Sequence, residues 1–121
     1  MAVNLKQYAY SKGADAALDA QFESAVRYAR IRLGQTHIFW KAGLRWYCIP
    51  IAAAQRIFRR QMPVRTKLCC GGANFTVEWL VLILSDGSEL EMYMGDDVQT
   101  KAEALLNSMK AAYPQLKYGK A

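Results

Sequence analysis

Apolar positions along this chain recur with periods that name most of its elements, and the pattern is clearest near the C-terminal end. After Gly95, the stretch DDVQTKAEALLNSMKAAYP places Val98, Ala102, Leu105, Leu106, Met109 and Tyr113 at helical spacing, and Pro114 closes it. Asp96 followed by Gln99 reads as a capping box, so a helix over 96–113 is predicted. Just before it, VEWLVLILSDGSELEMYMG holds two branched and aromatic runs around Ser85-Asp86-Gly87-Ser88, a hairpin signal. Leu90, Met92 and Met94 are expected to face the core, with Glu89, Glu91 and Tyr93 outward. On the first arm Trp79, Val81 and Ile83 share one face and Leu80, Leu82 and Leu84 the other, so both faces need cover.

Upstream, VRYARIRL, THIFWK and LRWYCIP are punctuated by Gly34 and Ala42-Gly43 and read as three strands in an up-and-down run. The decamer IAAAQRIFRR, residues 51–60, has two readings. As a helix it would carry Ile51, Ala54 and Phe58 on one side, but it lacks a capping residue and stops at Met62-Pro63. As a turn over the alanines and then an extended Gln55–Gln61, it agrees with Pro50, which biases Ile49 towards a strand. The second reading is favoured. Ala14–Phe22 suits a short helix, and residues before Lys12 are expected to be a mobile end. The fold class is therefore mainly β, about seven antiparallel strands capped by a C-terminal α-helix. One domain over 26–119 follows an N-terminal segment, 1–25.

Composition changes the picture in three places. A chain of 121 residues, 53% hydrophobic, suits one compact core. The first fifteen residues lack the apolar centre of a secretory signal, and the longest apolar run, Trp79–Leu84, is too short to span a bilayer. A cytoplasmic protein without a transmembrane segment is expected. The three cysteines argue against a disulfide framework. Cys69 and Cys70 are adjacent and Cys48 and His37 lie elsewhere, so metal-ligand spacing is missing, and neither metal nor other cofactor is expected. The cysteines read as small buried hydrophobes.

The net charge is +6, and no Asp or Glu occurs from Ser24 to Val77, where Arg27, Arg65, Lys67 and seven further cations lie. Those seven, Arg30, Arg32, Lys41, Arg45, Arg56, Arg59 and Arg60, are the candidates for holding an anionic partner. Strands could equally project them to different sides. Phe39, Trp40, Trp46, Tyr47 and Phe58 are interleaved with them, which suits either a stacking platform for single-stranded nucleic acid or an ordinary core. Catalytic signals are weak. His37 is a lone strand histidine, Asp96-Asp97 are explained by capping and Glu89/Glu91 by an exposed face, and CCGGANF reads as a loop. No enzyme is expected.

About seven short strands followed by one helix, carried by IRLGQTHIFWK, YCIPIAAAQRIFRR, LVLILSDGSELEMY and AYPQLKYGK, resemble the pleckstrin-homology-like superfold, in particular small bacterial PH-like domains and their GRAM-type relatives. The resemblance covers roughly residues 26–119 and implies a PH-like barrel. Its members variously bind phosphoinositides, peptides or proteins. Lipid-binding members follow a lysine on the first strand with a basic-x-Arg pair on the second. Here the first turn is only Gly34-Gln35, and Lys41 is followed by Arg45 alone, which argues against phosphoinositide binding. The expected role is a non-catalytic interaction domain that binds a protein or itself. Weak nonspecific nucleic-acid binding follows from charge. Self-association is expected through Trp79, Leu80, Val81 and Leu82, with either alternate set outward, unless Leu18 and Phe22 cover it. The alternative function is an OB-type barrel binding single-stranded nucleic acid, which needs a helix at 51–60.

Overall fold

The computed structural model describes residues 5–66 and 73–119. After a 3-10 turn at Leu5–Tyr8 come β1 (Ala9–Tyr10), α1 (Ala16–Ser24), β2 (Val26–Tyr28), β3 (Ile31–Leu33), β4 (His37–Ala42) and β5 (Arg45–Pro50). A second 3-10 turn, Ile51–Ala53, leads into β6 (Ala54–Thr66), β7 (Ala73–Leu84), β8 (Glu89–Asp96), α2 (Gln99–Ala112) and β9 (Lys117–Tyr118). The decamer is thus a turn and a strand, as its lack of a helix cap suggests. The expected stretch VRYARIRL is two strands rather than one. Ala29 adopts a left-handed φ of 57° and breaks it, letting the Arg30 N–H donate to the Met94 carbonyl.

The strands form two sheets, ordered β1-β5-β4-β3-β2 and β8-β7-β6-β9. All pairs are antiparallel except β6 with β9. Alternation sends Ile31, Ile38, Trp40 and Ile49 of the first sheet and Ile57, Leu80, Leu82, Leu90, Met92 and Met94 of the second into one core. Ala102, Leu105 and Met109 of α2 complete it, and Tyr28 shares a 2.8 Å hydrogen bond with Ser108.

The two sheets do not close into the expected barrel. Closure would require the free edges of the sheets to pair, and the chain ends occupy those edges instead. β1 lies on β5, and β9 lies on β6. On the other side β2 and β3 are three residues each, and the turn between them meets β8 through the Arg30 N–H on the Met94 carbonyl without a strand ladder. The segment expected to be mobile therefore contributes an edge strand.

The N-terminal helix covers the first sheet and not β7. Asp15 caps it by accepting from the Ala17 and Leu18 N–H groups. Phe22 then packs edge-on against Phe39 and Trp46, with ring centroids 5.3 and 4.9 Å away, and against Tyr10. The Tyr10 hydroxyl donates to Asp19 at 2.6 Å. Burial, and then that carboxylate, raise its pKa well above the usual tyrosine range.

The capping box at Asp96 does not form. Asp96 ends β8 opposite Val77, and the residue before the helix is Val98, without a side-chain cap. Asp97, with a left-handed φ of 53°, takes a different job: its carboxylate accepts from the Thr76 N–H and its own N–H donates to the Thr76 carbonyl. The β8 side of β7 is thereby satisfied one step past the last strand pair. Gly95, at φ 140°, makes the bulge opposite Glu78 possible, and a Cβ there would lie 3.3 Å from Val98.

Leu105 is fully buried, so Leu105→Ala is expected to cost about 2–5 kcal/mol in urea unfolding, from lost transfer energy and the cavity left behind. The exposed neighbour Lys101 should tolerate alanine within about 0.5 kcal/mol. Equal small effects would show that α2 is not packed on the sheets.

Candidate interaction surface

The seven candidate cations are dispersed. Arg32 lies on the outer face of the first sheet, its guanidinium 4.1 Å from the Phe22 ring centroid and 5.2 Å from that of Trp46, donating to the Phe22 carbonyl. It fastens α1 in place. Lys41, opposite Trp46, shares that face by alternation, and Arg45 is exposed at the hairpin end. Arg30 sits over Tyr93 of the other sheet, at 5.2 Å. Arg56 donates to the Gly119 carbonyl and so helps hold the tail.

Arg59 and Arg60 follow one another and point to opposite faces of β6. Arg60 reaches across β7 on the outer face to Glu91 at 2.6 Å and Glu89 at 3.0 Å. Its side chain lies over Phe58 and crosses the row of Val81, which is why both are buried although they belong to neither core cluster. Arg59 points inward. Its guanidinium is 2.7 Å from the fully buried carboxylate of Glu78, which also accepts from Gln61, and 3.6 Å from Glu103 of α2. Neither arginine is free for a ligand.

The aromatic residues divide similarly. Phe39, Trp40 and Phe58 are buried, while Trp46 and Tyr47 are half-buried, Trp46 beneath Arg32 and Tyr47 stacked on Trp40 with ring centroids 5.6 Å apart. No continuous row of rings faces solvent in the described residues.

The self-association candidates also resolve into faces. Leu80 and Leu82 are in the core, so they cannot dock a partner, and the outward set is Trp79, Val81 and Ile83. Val81 is roofed by Arg60, and Trp79 leans on Tyr93 at 6.4 Å. Neither Leu18 nor Phe22 covers this face, because α1 lies on the first sheet.

A more open surface lies further along the same hairpin. β8 ends opposite Val77, but β6 and β7 continue together through the pairs Pro63–Thr76, Val64–Phe75, Arg65–Asn74 and Thr66–Ala73. This two-stranded ribbon stands clear of the rest of the sheet. Met62 is 51% exposed and shares the outer face with half-buried Val64, Phe75 and Val77. On its other edge, among the described residues, β6 is paired by β9 at Arg56 and Ile57 and not beyond. The sequence reading overlooked these residues, although Pro63 within a strand pattern marks an edge strand. Glu78, alone in an apolar run, signalled a buried charge needing a partner. Cys69 and Cys70 lie outside the described residues, and of the expected loop CCGGANF the last three residues, Ala73, Asn74 and Phe75, are instead the start of β7, held by pairing with β6.

The remaining chemistry is sparse. Burial pushes the Cys48 thiol up and lowers the pKa of His37, whose Nδ1 is 2.8 Å from the Thr36 hydroxyl. A thiolate–imidazolium pair would shift both groups the other way. No cluster of three or more His, Cys, Asp or Glu suited to a metal occurs among the described residues, and no helix there is long and apolar enough to cross a membrane. A cleft of about 410 Å³ opens between Ile51, Gln55, Tyr113, Leu116 and Lys117, without a group of convergent charges. No protein-family model, curated protein or solved structure matches the chain.

Two consequences are measurable. Arg59→Met leaves Glu78 buried without its cation and is expected to destabilise by about 3–5 kcal/mol, whereas Arg59→Met with Glu78→Met should recover most of the loss. Urea unfolding of both variants decides this. His37 has a folded pKa below its ordinary value, so the unfolded state binds protons more readily. Stability is therefore fully present above about pH 6.5 and falls as the pH drops through that value towards the folded pKa. His37→Gln should flatten this dependence in unfolding curves taken between about pH 7.5 and 5.5.

Proposed function

We propose that this chain is a non-catalytic interaction domain of the PH-like kind and that its partner is a protein. What supports the PH-like reading is chain order: a four-strand meander, β2 to β5, then a three-strand meander, β6 to β8, then a helix packed into the core between them. Chain-end strands on the β5 and β6 edges stand where barrel closure would be.

The observation that carries the protein partner is the projecting β6–β7 ribbon, with backbone groups on an open edge and Met62, Val64 and Phe75 on one face. Extended partners add to such edges through main-chain hydrogen bonds and take specificity from alternate side chains. The OB-type reading needs a helix where Ile51–Ala53 is a short turn and β6 begins. Its stacking platform would also need aromatic faces that are here core or covered.

Charge still gives weak affinity for polyanions. Fluorescence anisotropy with a short single-stranded oligonucleotide should show binding that falls by about tenfold or more between roughly 50 and 200 mM salt, as expected for about three phosphate contacts. Tyr47→Ala should leave it unchanged. Binding that survives high salt and is lost with Tyr47→Ala would overturn the protein-partner reading in favour of a stacking platform.

A further inference from the structure

We propose that the partner of the ribbon is a second copy of this chain, paired antiparallel through the open edge of β6 in the register that places Gln61 opposite Gln61. The inference rests on the interaction-domain reading and names its partner.

Backbone direction comes first. The Gly119 N–H donates to the Ile57 carbonyl at 3.0 Å, so the backbone groups of Ile57 face β9 and turn away from β7. Antiparallel alternation then turns those of Arg59, Gln61, Pro63 and Arg65 to the same open side. The opposite strand agrees, because Thr76, the partner of Pro63, uses its N–H and carbonyl on Asp97, on the side away from β6. A cleft of about 320 Å³ lined by Phe58, Arg59, Leu106, Lys110, Tyr118 and Gly119 lies at the start of this edge.

Register follows from proline and charge. Centred on Pro63, the middle of the pairing would lack a donor in both copies. Centred on Arg59, it would set one arginine against another in chains that each carry a net charge of +6. Centred on Gln61, the two Gln61 residues exchange reciprocal bonds at the middle of the pairing, and each Arg59 N–H donates to the Pro63 carbonyl of the second copy, so the missing Pro63 donors fall at its ends, where the Arg59 carbonyls stay with solvent. Arg60 then lies opposite Met62 and Phe58 opposite Val64, so every cation within 58–64 meets a neutral residue. These pairs fall on the outer face, where they cover the exposed Met62. Beyond residue 64 the second copy meets β9, which limits the pairing to this stretch.

The test combines sedimentation equilibrium with an isotope-filtered NOE experiment on mixed labelled and unlabelled chain. A dimer is expected, with a cross-copy contact between the α-protons of Arg60 and Met62, which approach closely in a non-hydrogen-bonded pair. Met62→Lys sets a lysine against Arg60 and should weaken association by about tenfold or more without altering the far-ultraviolet circular dichroism. Gln61→Pro removes an N–H that the intramolecular ladder does not use, and should abolish the dimer in a folded chain. A chain that stays monomeric at all concentrations, or a dimer that lacks the contact and is indifferent to Met62→Lys, overturns the pairing. Either result leaves the interaction-domain reading to the oligonucleotide titration, which decides it separately.

Discussion

A strand that is apolar on both faces must be covered on both, and β7 imposes that demand on everything around it. Leu80, Leu82 and Leu84 require a partner layer, and the first sheet and α2 supply it. Trp79, Val81 and Ile83 require a second cover, which no helix or sheet among the described residues provides. Arg60 crosses the strand over the row of Val81 to Glu89 and Glu91, Trp79 leans on Tyr93, and Trp79 and Ile83 stay half-buried. A position that reads as a free cation in the sequence is thus committed to packing.

The same economy governs the edges. An open sheet exposes unpaired N–H and C=O groups, and the chain deals with them by folding its own ends back. β1 lies on β5, β9 on β6, and the Arg30 and Asp97 backbones satisfy isolated groups on β8 and β7. With these additions the two sheets stay unclosed and pack with α2 over one core. Among the described residues the additions leave the stretch of β6 after Ile57 without a strand on that side.

Burial of Glu78 beside that edge is the least comfortable feature of the core. A fully buried carboxylate is tolerable only with a cation in place, and Arg59 supplies one while also approaching Glu103 of α2. The pair ties the root of the ribbon to the helix. It gives that end of the sheet a fixed geometry from which the outer residues of β6 and β7 project.

The order of amino acids by itself determined the elements whose cause is local. These are the Asp86-Gly87 hairpin, with the Gly87 N–H donating to the Leu84 carbonyl, the in-out alternation from Leu90 to Met94, the stripe of α2 from Ala102 to Met109, and the turn-then-strand after Pro50. Each follows from backbone preference or side-chain period within a few residues. What the pattern missed was decided by residues distant in the chain. Asp96 is a strand residue because Val77 lies across from it, and VRYARIRL breaks at Ala29, where Arg30 reaches Met94. The acid-free block yields no single basic face, because Arg59 and Arg60 alternate to opposite sides of β6 and find carboxylates on β7 and β8. Only the tertiary structure could decide these, since an ion pair or a strand edge exists only when two remote segments meet, and local sequence carries no record of which ones do.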